Sequence, residues 1–546
     1  MAGGNVYEQP AFTRREIFST MTGVLLVMLL ASLDQTIVGT AMPRIIGEFH
    51  GLDRYVWVTT AYMLTSTVMI PIYGKLSDQF GRKPIFLVGV VLFLLGSGLC
   101  GAAQSMDQLI IFRAFQGIGA AALMPIAIAV IGDLFTPRER GKWQGVTGSI
   151  FALSSILGPV LGGWITDSFS WRWVFYVNLP VGVAALLVLI FLMPMLRQSR
   201  GKARIDYLGA LLLALGTVPV MLGLSGAGSQ FAWLSWQTLV LIGGGLIVMA
   251  GFFFYEAYLE RHDAQPIIDP SLFKNRIFII SLLVSMITFM GMFGCVAFLP
   301  LYAQGVLKIS ATDSGLVLTP MMLSMIATST ISGLLLTRFG KYKWMTIVGM
   351  IGTVLGAALL LRLDVHSYYF DMIIAMIVLG TGMGFGMSLY NTIVQNALPH
   401  KIGQATSAMT FFRQIGSTVA LAALGSILTS MYAPAFHSAL PAQVNRAVPS
   451  KALSFFDNPN VLLDPNAQHA ISTQFASFGQ SGMALLGQIL EAVKVGLTQG
   501  IHATFVASFI VLLFGMVIVF FLPEIELISR RSPANKDDAP SVPMMH

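Results

Sequence analysis

The chain reads as an all-α polytopic membrane protein, and three observations carry that reading. Of its 546 residues, 55% are hydrophobic and 10% charged, against roughly 25% charged in soluble domains, and mean hydropathy is +0.76. Apolar runs of about 20 residues, the length that crosses a bilayer as a helix satisfying its own backbone, recur along almost the whole chain. Lysines and arginines gather on one side of the implied fold: with a cytoplasmic N-terminus, 22 of the 32 fall in cytoplasmic segments and eight outside, the asymmetry that the positive-inside rule requires.

Fourteen spans are expected, over 18–40, 56–75, 84–103, 108–132, 142–166, 173–195, 206–224, 236–258, 277–303, 313–337, 344–362, 370–396, 404–430 and 503–522. Both termini then lie in the cytoplasm. Arg14 and Arg15 before the first run resemble a secretory leader, but the run is too long, lacks a clear cleavage site and is followed by further spans. The net charge of +7 belongs to short loops beside membrane ends, so it suits anionic headgroups and excludes nucleic acid as a partner. Cys100 and Cys295 lie within apolar spans with no metal spacing, so they read as packing residues. No cofactor is implied, and no Gly-rich phosphate loop occurs.

Two loops repeat one pattern. "GKLSDQFGRKP" at 74–84 and "GLLLTRFGKYK" at 333–343 place Gly, then Phe-Gly, then bases at equal offsets. The match lays the second and third spans over the tenth and eleventh and divides the helices as six, two and six. Internal duplication is the mark of secondary transporters with a site between two halves. The implied organisation is a cytoplasmic N-terminus over 1–16, a six-helix bundle over 17–200, two linker helices over 201–262, and a second bundle over 263–527. That second bundle carries an external insert over 431–500, and a disordered cytoplasmic tail follows over 528–546. The charge chemistry is not duplicated: the same offset carries Asp34 to Phe293 and Arg113 to Met372.

"GKLSDQFGRKP" resembles the cytoplasmic loop signature of the major facilitator superfamily. "LIIFRAFQGIGAA" at 109–121 resembles its fourth-helix Arg-x-x-Gln-Gly motif, "LGPVLGG" at 157–163 its antiporter motif, and "LDQTIVGTAMP" at 33–43 the first-helix motif of drug:proton antiporters. With "WRWVFYVNLPVG" at 171–182 and fourteen spans, the chain is similar to the fourteen-helix QacA and EmrB branch; residues 17–430 carry the resemblance and the last hundred carry little of it. The resemblance implies a proton-coupled multidrug exporter, not an enzyme, in a plasma membrane of bacterial type. Its partners would be protons, membrane lipids and small lipophilic substrates, and it would act as a monomer. The tenth span lacks the acid that relatives exporting dications carry, which leaves monocations, zwitterions or neutral compounds. Export of an endogenous lipid or metabolite by the same fold is the alternative within the class; a receptor or enzyme without transport is the alternative outside it.

Gly74 and Gly81 permit a tight connection between two helices, and Arg82 and Lys83 meet the cytoplasmic surface. Asp78 has no topogenic purpose. The resemblance implies that it docks on the other half while Arg82 meets an acid at the end of the fourth helix, here Asp133, as a charge network made in one rocking state and broken in the other. In the fifth span Gly158, Pro159, Gly162 and Gly163 allow close helix approach and a bend.

Asp34 stands about 24 Å along its span at about 1.5 Å per residue, and Arg113 enters the fourth span from the opposite side to a similar depth. The two can meet. Burial in low dielectric favours a protonated carboxyl and a nearby cation favours an ionised one, so moving the pair changes proton affinity. That suits a proton-coupling acid with Arg113 as modulator; a static ion pair, or an acid in water at the external interface, are the alternatives. Arg413, near mid-membrane, can pair a substrate anion, hold a distant acid or line a wet cavity. Gln116, Tyr390, Asn391, Phe412 and Gln414 are the further candidates for an adaptable pocket, whereas Glu256 reads as snorkelling to the interface. Helical spacing of Met483, Leu486, Ile489, Leu490 and Val493 predicts a helix that lies on the membrane surface or extends the last span; a lid or partner site is open.

Overall fold

A long helix lies over every one of the expected spans. The computed structural model describes residues 13–49, 55–194, 206–227, 231–262, 265–307, 309, 317–365, 367–449, 453, 456, 465–476 and 479–525. In chain order the long helices are α1 (Arg14–Phe49), α2 (Tyr55–Phe80), α3 (Arg82–Gly101), α4 (Met106–Leu134), α5 (Pro137–Ser168) and α6 (Trp173–Tyr176, continued after a break at Val177 by Asn178–Leu192). α7 (Tyr207–Gly226) and α8 (Trp236–Arg261) follow, then α9 (Arg276–Ala297, continued by Leu299–Gly305), α10 (Leu318–Phe339), α11 (Lys343–Leu360), α12 (Tyr369–Ala397), α13 (Ile402–Ala439) and α14 (Gly479–Val519). Among the described residues, twelve of these are long and apolar enough to cross a membrane; α2 and α5, richer in Thr, Ser and Gly, fall outside that set. The described residues form no strand beyond one isolated bridge, Ala227 with Phe231.

Buried apolar side chains gather separately in the two halves. Met21, Val27, Phe86, Phe93, Leu123 and Ile126 lead one cluster, and Phe278, Tyr302, Met345, Leu379, Tyr432 and Phe505 another. Outward-facing apolar residues such as Phe191, Ile247, Phe254 and Phe514 are at least 70% exposed, which a lipid-facing surface explains and an aqueous one does not. α7 and α8 pack on each other where glycines let backbones approach: a β-carbon on Gly216 would stand 3.1 Å from the Met249 nitrogen, and one on Gly245 would stand 2.8 Å from the Gly216 carbonyl oxygen.

One open alternative is decided and one expectation changes. α13 continues to Ala439 and α14 begins at Gly479, so the stretch 481–500 extends the last span and does not lie on the membrane surface. The cause is packing beyond the bilayer. Tyr432, Phe436, Ile489 and Val493 are fully buried between the two helices, and Gly496 admits the backbone of Phe436 at 3.0 Å from its β-carbon position. Glu256 does not snorkel: it is fully buried between linker elements. The tail over 528–546, the N-terminal residues 1–12 and the boundary between the first bundle and the linker at 200–201 lie outside the described residues.

Candidate functional site

Asp34 is fully buried and sits among four helices of the first half. Its Oδ2 accepts from Arg113 Nη1 at 2.9 Å. Its Oδ1 accepts from Gln116 Nε2 at 2.9 Å and from Asn178 Nδ2 at 3.0 Å. Gln116 Oε1 in turn accepts from Arg113 Nη1 at 2.8 Å, and Asn178 also donates to Ser97 Oγ at 3.0 Å. The guanidinium stacks over the Tyr62 ring at 4.1 Å. Each donor is positioned by ordinary helix geometry: Arg113 and Gln116 are three apart on α4 and share a face, while Asn178 begins the second segment of α6, just after the break at Val177. A carboxylate so enclosed is tolerable because both of its oxygens meet donors, one of them charged.

Two turns of α1 beyond Asp34 lean on the glycines of α5. A β-carbon at Gly158 would stand 2.0 Å from Thr36 Oγ1 and one at Gly162 would stand 2.1 Å from Thr40 Oγ1; Gly163 has nothing within 4 Å. The side chain of Pro159 lies outside the described set. Past the end of the span, Trp171 Nε1 donates to Glu48 at 2.6 Å, and this hydrogen bond, with help from Arg172, holds the Glu48 carboxyl below its ordinary range.

The loop signature joins the halves. Asp78 receives Arg82 Nη1 at 2.7 Å and reaches across to α13, accepting from the Gln404 amide at 2.9 Å and the Gly403 amide at 3.3 Å. A carboxylate at a helix N-terminus meets unpaired N–H groups and the positive end of the dipole. Arg82, fully buried, places Nε 2.7 Å from Asp133 Oδ2. Gly81 takes φ 92°, a left-handed conformation that glycine adopts freely. Gly74 packs so closely on Ser407 that a β-carbon would stand 2.1 Å from its Oγ, and Gly145 of α5 meets Thr330 of α10 at 2.8 Å from the same construction. Gln395 Nε2 donates to the Ile128 carbonyl at 3.3 Å. These inter-half contacts all lie toward the end that bears the basic loops, so the structure is closed at that end.

Arg413 is buried in the second half. Its Nε donates to Ser285 Oγ at 2.5 Å, its Nη2 to Asn391 Oδ1 at 3.1 Å, and its guanidinium lies 5.3 Å from the Phe289 ring centre. It therefore meets neutral groups and a ring, not an acid, in the contacts described. Tyr390 and Asn391 are buried beside it, whereas Phe412 stacks edgewise on Phe273 at 6.1 Å and, like Gln414, is only half-buried. The structure joins Arg413 to Asn391 and sets Gln116 apart from them. Gln116 belongs to the Asp34 cluster of the first half and is fully buried there. Sequence reasoning missed Asn178 and Ser97 as partners of the acid. Asn178 is the one amide in the span 173–195, and a lone amide in so apolar a run was the available signal.

The family model described as Major Facilitator Superfamily matches residues 24–206 and 197–421. The chain is 38% identical over 517 residues to "Multidrug transporter protein MdtP" of Bacillus subtilis (strain 168), with 94% of each chain covered. It is 36% identical over 502 residues to "Multidrug resistance protein 3" of the same organism, covering 92% of this chain and 94% of that one. Efflux pump FUS6 of Gibberella moniliformis is 30% identical over 511 residues, covering 92% and 87%. Among solved structures, the proton:xylose symporter XylE aligns with a TM-score of 0.57 at 14% identity over 94% of this chain and 97% of that one, and human MFSD10 with a TM-score of 0.56 at 12% identity over 92% and 100%, likenesses of fold alone. The chain belongs to the major facilitator superfamily, and it is a multi-pass membrane transporter, not an enzyme.

Proposed function

We propose that this transporter is a proton-coupled multidrug efflux antiporter that exports lipophilic monocationic or neutral compounds by alternating access. The observation that carries the reading is the enclosed carboxylate of Asp34, held by Arg113, Gln116 and Asn178. A proton arriving on Asp34 from the external side neutralises the partner of Arg113 and leaves the guanidinium held by Gln116 and by the Val58 carbonyl, to which its Nε donates at 3.4 Å. The neutral acid alters the packing of α1 on α5 through Thr36 and Thr40, and this biases the seam between the halves. Opening of the seam then lets the proton leave to the cytoplasm and substrate enter.

In this reading residues 17–200 and 263–527 are the rocking units and 201–262 the linker. Asp78, Arg82, Asp133, Gly74 and Gly81 form the switch that latches the closed end. Gly158, Pro159, Gly162 and Gly163 set the contact of α5 with α1, and Arg413, Tyr390, Asn391, Phe412 and Gln414 contribute to the path of the substrate. The names of the Bacillus relatives support both drug efflux and a bacterial cytoplasmic membrane. The test is efflux of a panel of fluorescent cations and neutral dyes from proteoliposomes with an imposed pH gradient. Asp34→Asn should abolish gradient-driven export while leaving the protein folded and able to bind substrate. Undiminished gradient-driven export by that variant overturns the coupling role.

A further inference from the structure

The linker helices hold a third group of ionisable side chains, separate from the clusters around Asp34 and Arg413. Asp206 precedes α7 and uses Oδ1 to accept from the Gly209 amide at 2.8 Å and the Tyr255 hydroxyl at 3.4 Å. Its Oδ2 is buried without a hydrogen-bond partner. Glu256 of α8 is fully buried, and neither of its carboxyl oxygens has a side-chain partner; the Ile267 backbone amide is directed at it. The two carboxyls crowd one point: a β-carbon at Gly209 would stand 2.1 Å from Asp206 Oδ2 and 2.8 Å from Glu256 Oε1. Lys75 of α2 and Asp269 of the α8–α9 connection are the further charges that act on Glu256, and Lys401 acts on Lys75 in turn.

Two ionised carboxyls side by side in a dry seam, with three acceptor oxygens lacking a side-chain partner, are strongly unfavourable. One proton relieves the arrangement, since a protonated Glu256 removes one of the two buried negative charges and supplies a donor. A metal ion fits less well, because hard cations take about six oxygen ligands and only three oxygens here are unused. We propose that Asp206 and Glu256 form a second proton-binding site, which holds one proton between the two carboxyls and gives it up to the cytoplasm when the Lys75 ammonium moves in to take its place. Charge balances: the pair goes from one negative charge to two as one proton leaves, and the incoming ammonium pairs with the new carboxylate.

The site's placement gives it a consequence. The connection that follows α8 is tied to the first half by Gln79, whose Nε2 donates to Gln265 Oε1 at 2.5 Å, and to the second half by Lys401, which donates to Asp269 and to Ser271 Oγ at 2.6 Å. The same connection carries Ile267 against Glu256. Lys75 stands next to Gly74 at the tightest point of the seam, so its movement toward Glu256 pulls on the latched end. Proton occupancy of the linker therefore reports cytoplasmic pH to the seam. This does not rest on Asp34 being the coupling acid.

The experiment is infrared difference spectroscopy of the full-length protein in liposomes, in H2O and D2O, following the C=O stretch of protonated carboxylic acids through a titration from neutral to alkaline pH. Wild type should show a protonated carboxyl at neutral pH that Glu256→Gln removes, one group per chain, and that Asp34→Asn retains. Asp206→Asn serves as the second variant, because its amide donates to Glu256 in place of the proton; it should also remove the band. In transport, Glu256→Gln should keep gradient-driven export but flatten its dependence on cytoplasmic pH, unlike the complete loss expected for Asp34→Asn. A band unchanged in both linker variants, one lost in Asp34→Asn, or one displaced by sodium at constant pH overturns the proposal.

Discussion

Gly74→Ala tests whether the latched end is one state of a two-state seam. In the closed state the new methyl would stand 2.1 Å from Ser407 Oγ, 2.5 Å from its Cβ and 3.0 Å from the Gly403 carbonyl, all on the opposite half. Overpacking of this kind costs about 1–3 kcal/mol, and α2 cannot retreat within its own bundle because it packs on α4 through Gly117, which meets the Tyr62 carbonyl at 2.5 Å from its β-carbon position. The cost falls on the closed state alone, since separation of the halves removes the clash, so it shifts the equilibrium toward opening by about 5- to 150-fold. The assay is the rate of maleimide labelling of a cysteine placed at Ser329, which is 5% exposed and faces Gly148 across the seam, in a background with Cys100 and Cys295 replaced. Labelling should accelerate by that factor, and Ser407→Gly, which deletes the clashing atoms, should restore the slow rate in the double variant. An unchanged rate in Gly74→Ala, or acceleration that persists in the double variant, refutes the reasoning.

The glycines of the α5 motif should separate by position. Gly158→Ala should cost about 1–3 kcal/mol in thermal unfolding of the purified protein and impair export, whereas Gly163→Ala, with open space around it, should stay within about 0.5 kcal/mol. The α8–α9 connection offers a pH test. Burial opposes ionisation of Asp269, but hydrogen bonds from Lys401 and Ser271 outweigh it and hold the carboxyl below its ordinary value. A depressed carboxyl stabilises the fold above its ordinary value of about 3.9 and loses that contribution as pH falls through the lowered one. Lys401→Met should therefore lower thermal stability by up to about 1 kcal/mol at neutral pH, and the gap to wild type should close on acidification below the carboxylate range; a gap that widens there contradicts the assignment.

Depth was legible in the sequence and azimuth was not. A fixed rise per residue sets the height of Asp34 and Arg113 in their spans, and the two are in contact in the structure. Counting along single helices cannot say which side of each span faces which neighbour, so Gln116 read as a pocket residue although it lies three positions after Arg113 and shares its face. The same blindness hid Glu256: a carboxylate near the end of a span snorkels on an isolated helix, but α7 and the α8–α9 connection cover it here. The contact of Arg82 with Asp133 and the docking of Asp78 on the other half could be anticipated only from the family resemblance of the loop, whereas the amides of Gly403 and Gln404 that Asp78 meets are backbone groups, and no side-chain pattern announces them. The overlong α13 and α14 escaped notice because span-finding stops at bilayer thickness, while the Phe436 and Tyr432 rings continue the packing past it.

α13 is one helix from the amides that grip Asp78 to the outer hairpin it makes with α14. Its 38 residues make a rod of about 57 Å at about 1.5 Å per residue, with Arg413 bonded to Ser285 and Asn391 along it. A lever of that length has no private end: a tilt that frees Asp78 inside must also swing Tyr432 and Phe436 outside, and an antibody fragment clamped on the hairpin would hold the far latch shut without ever reaching it.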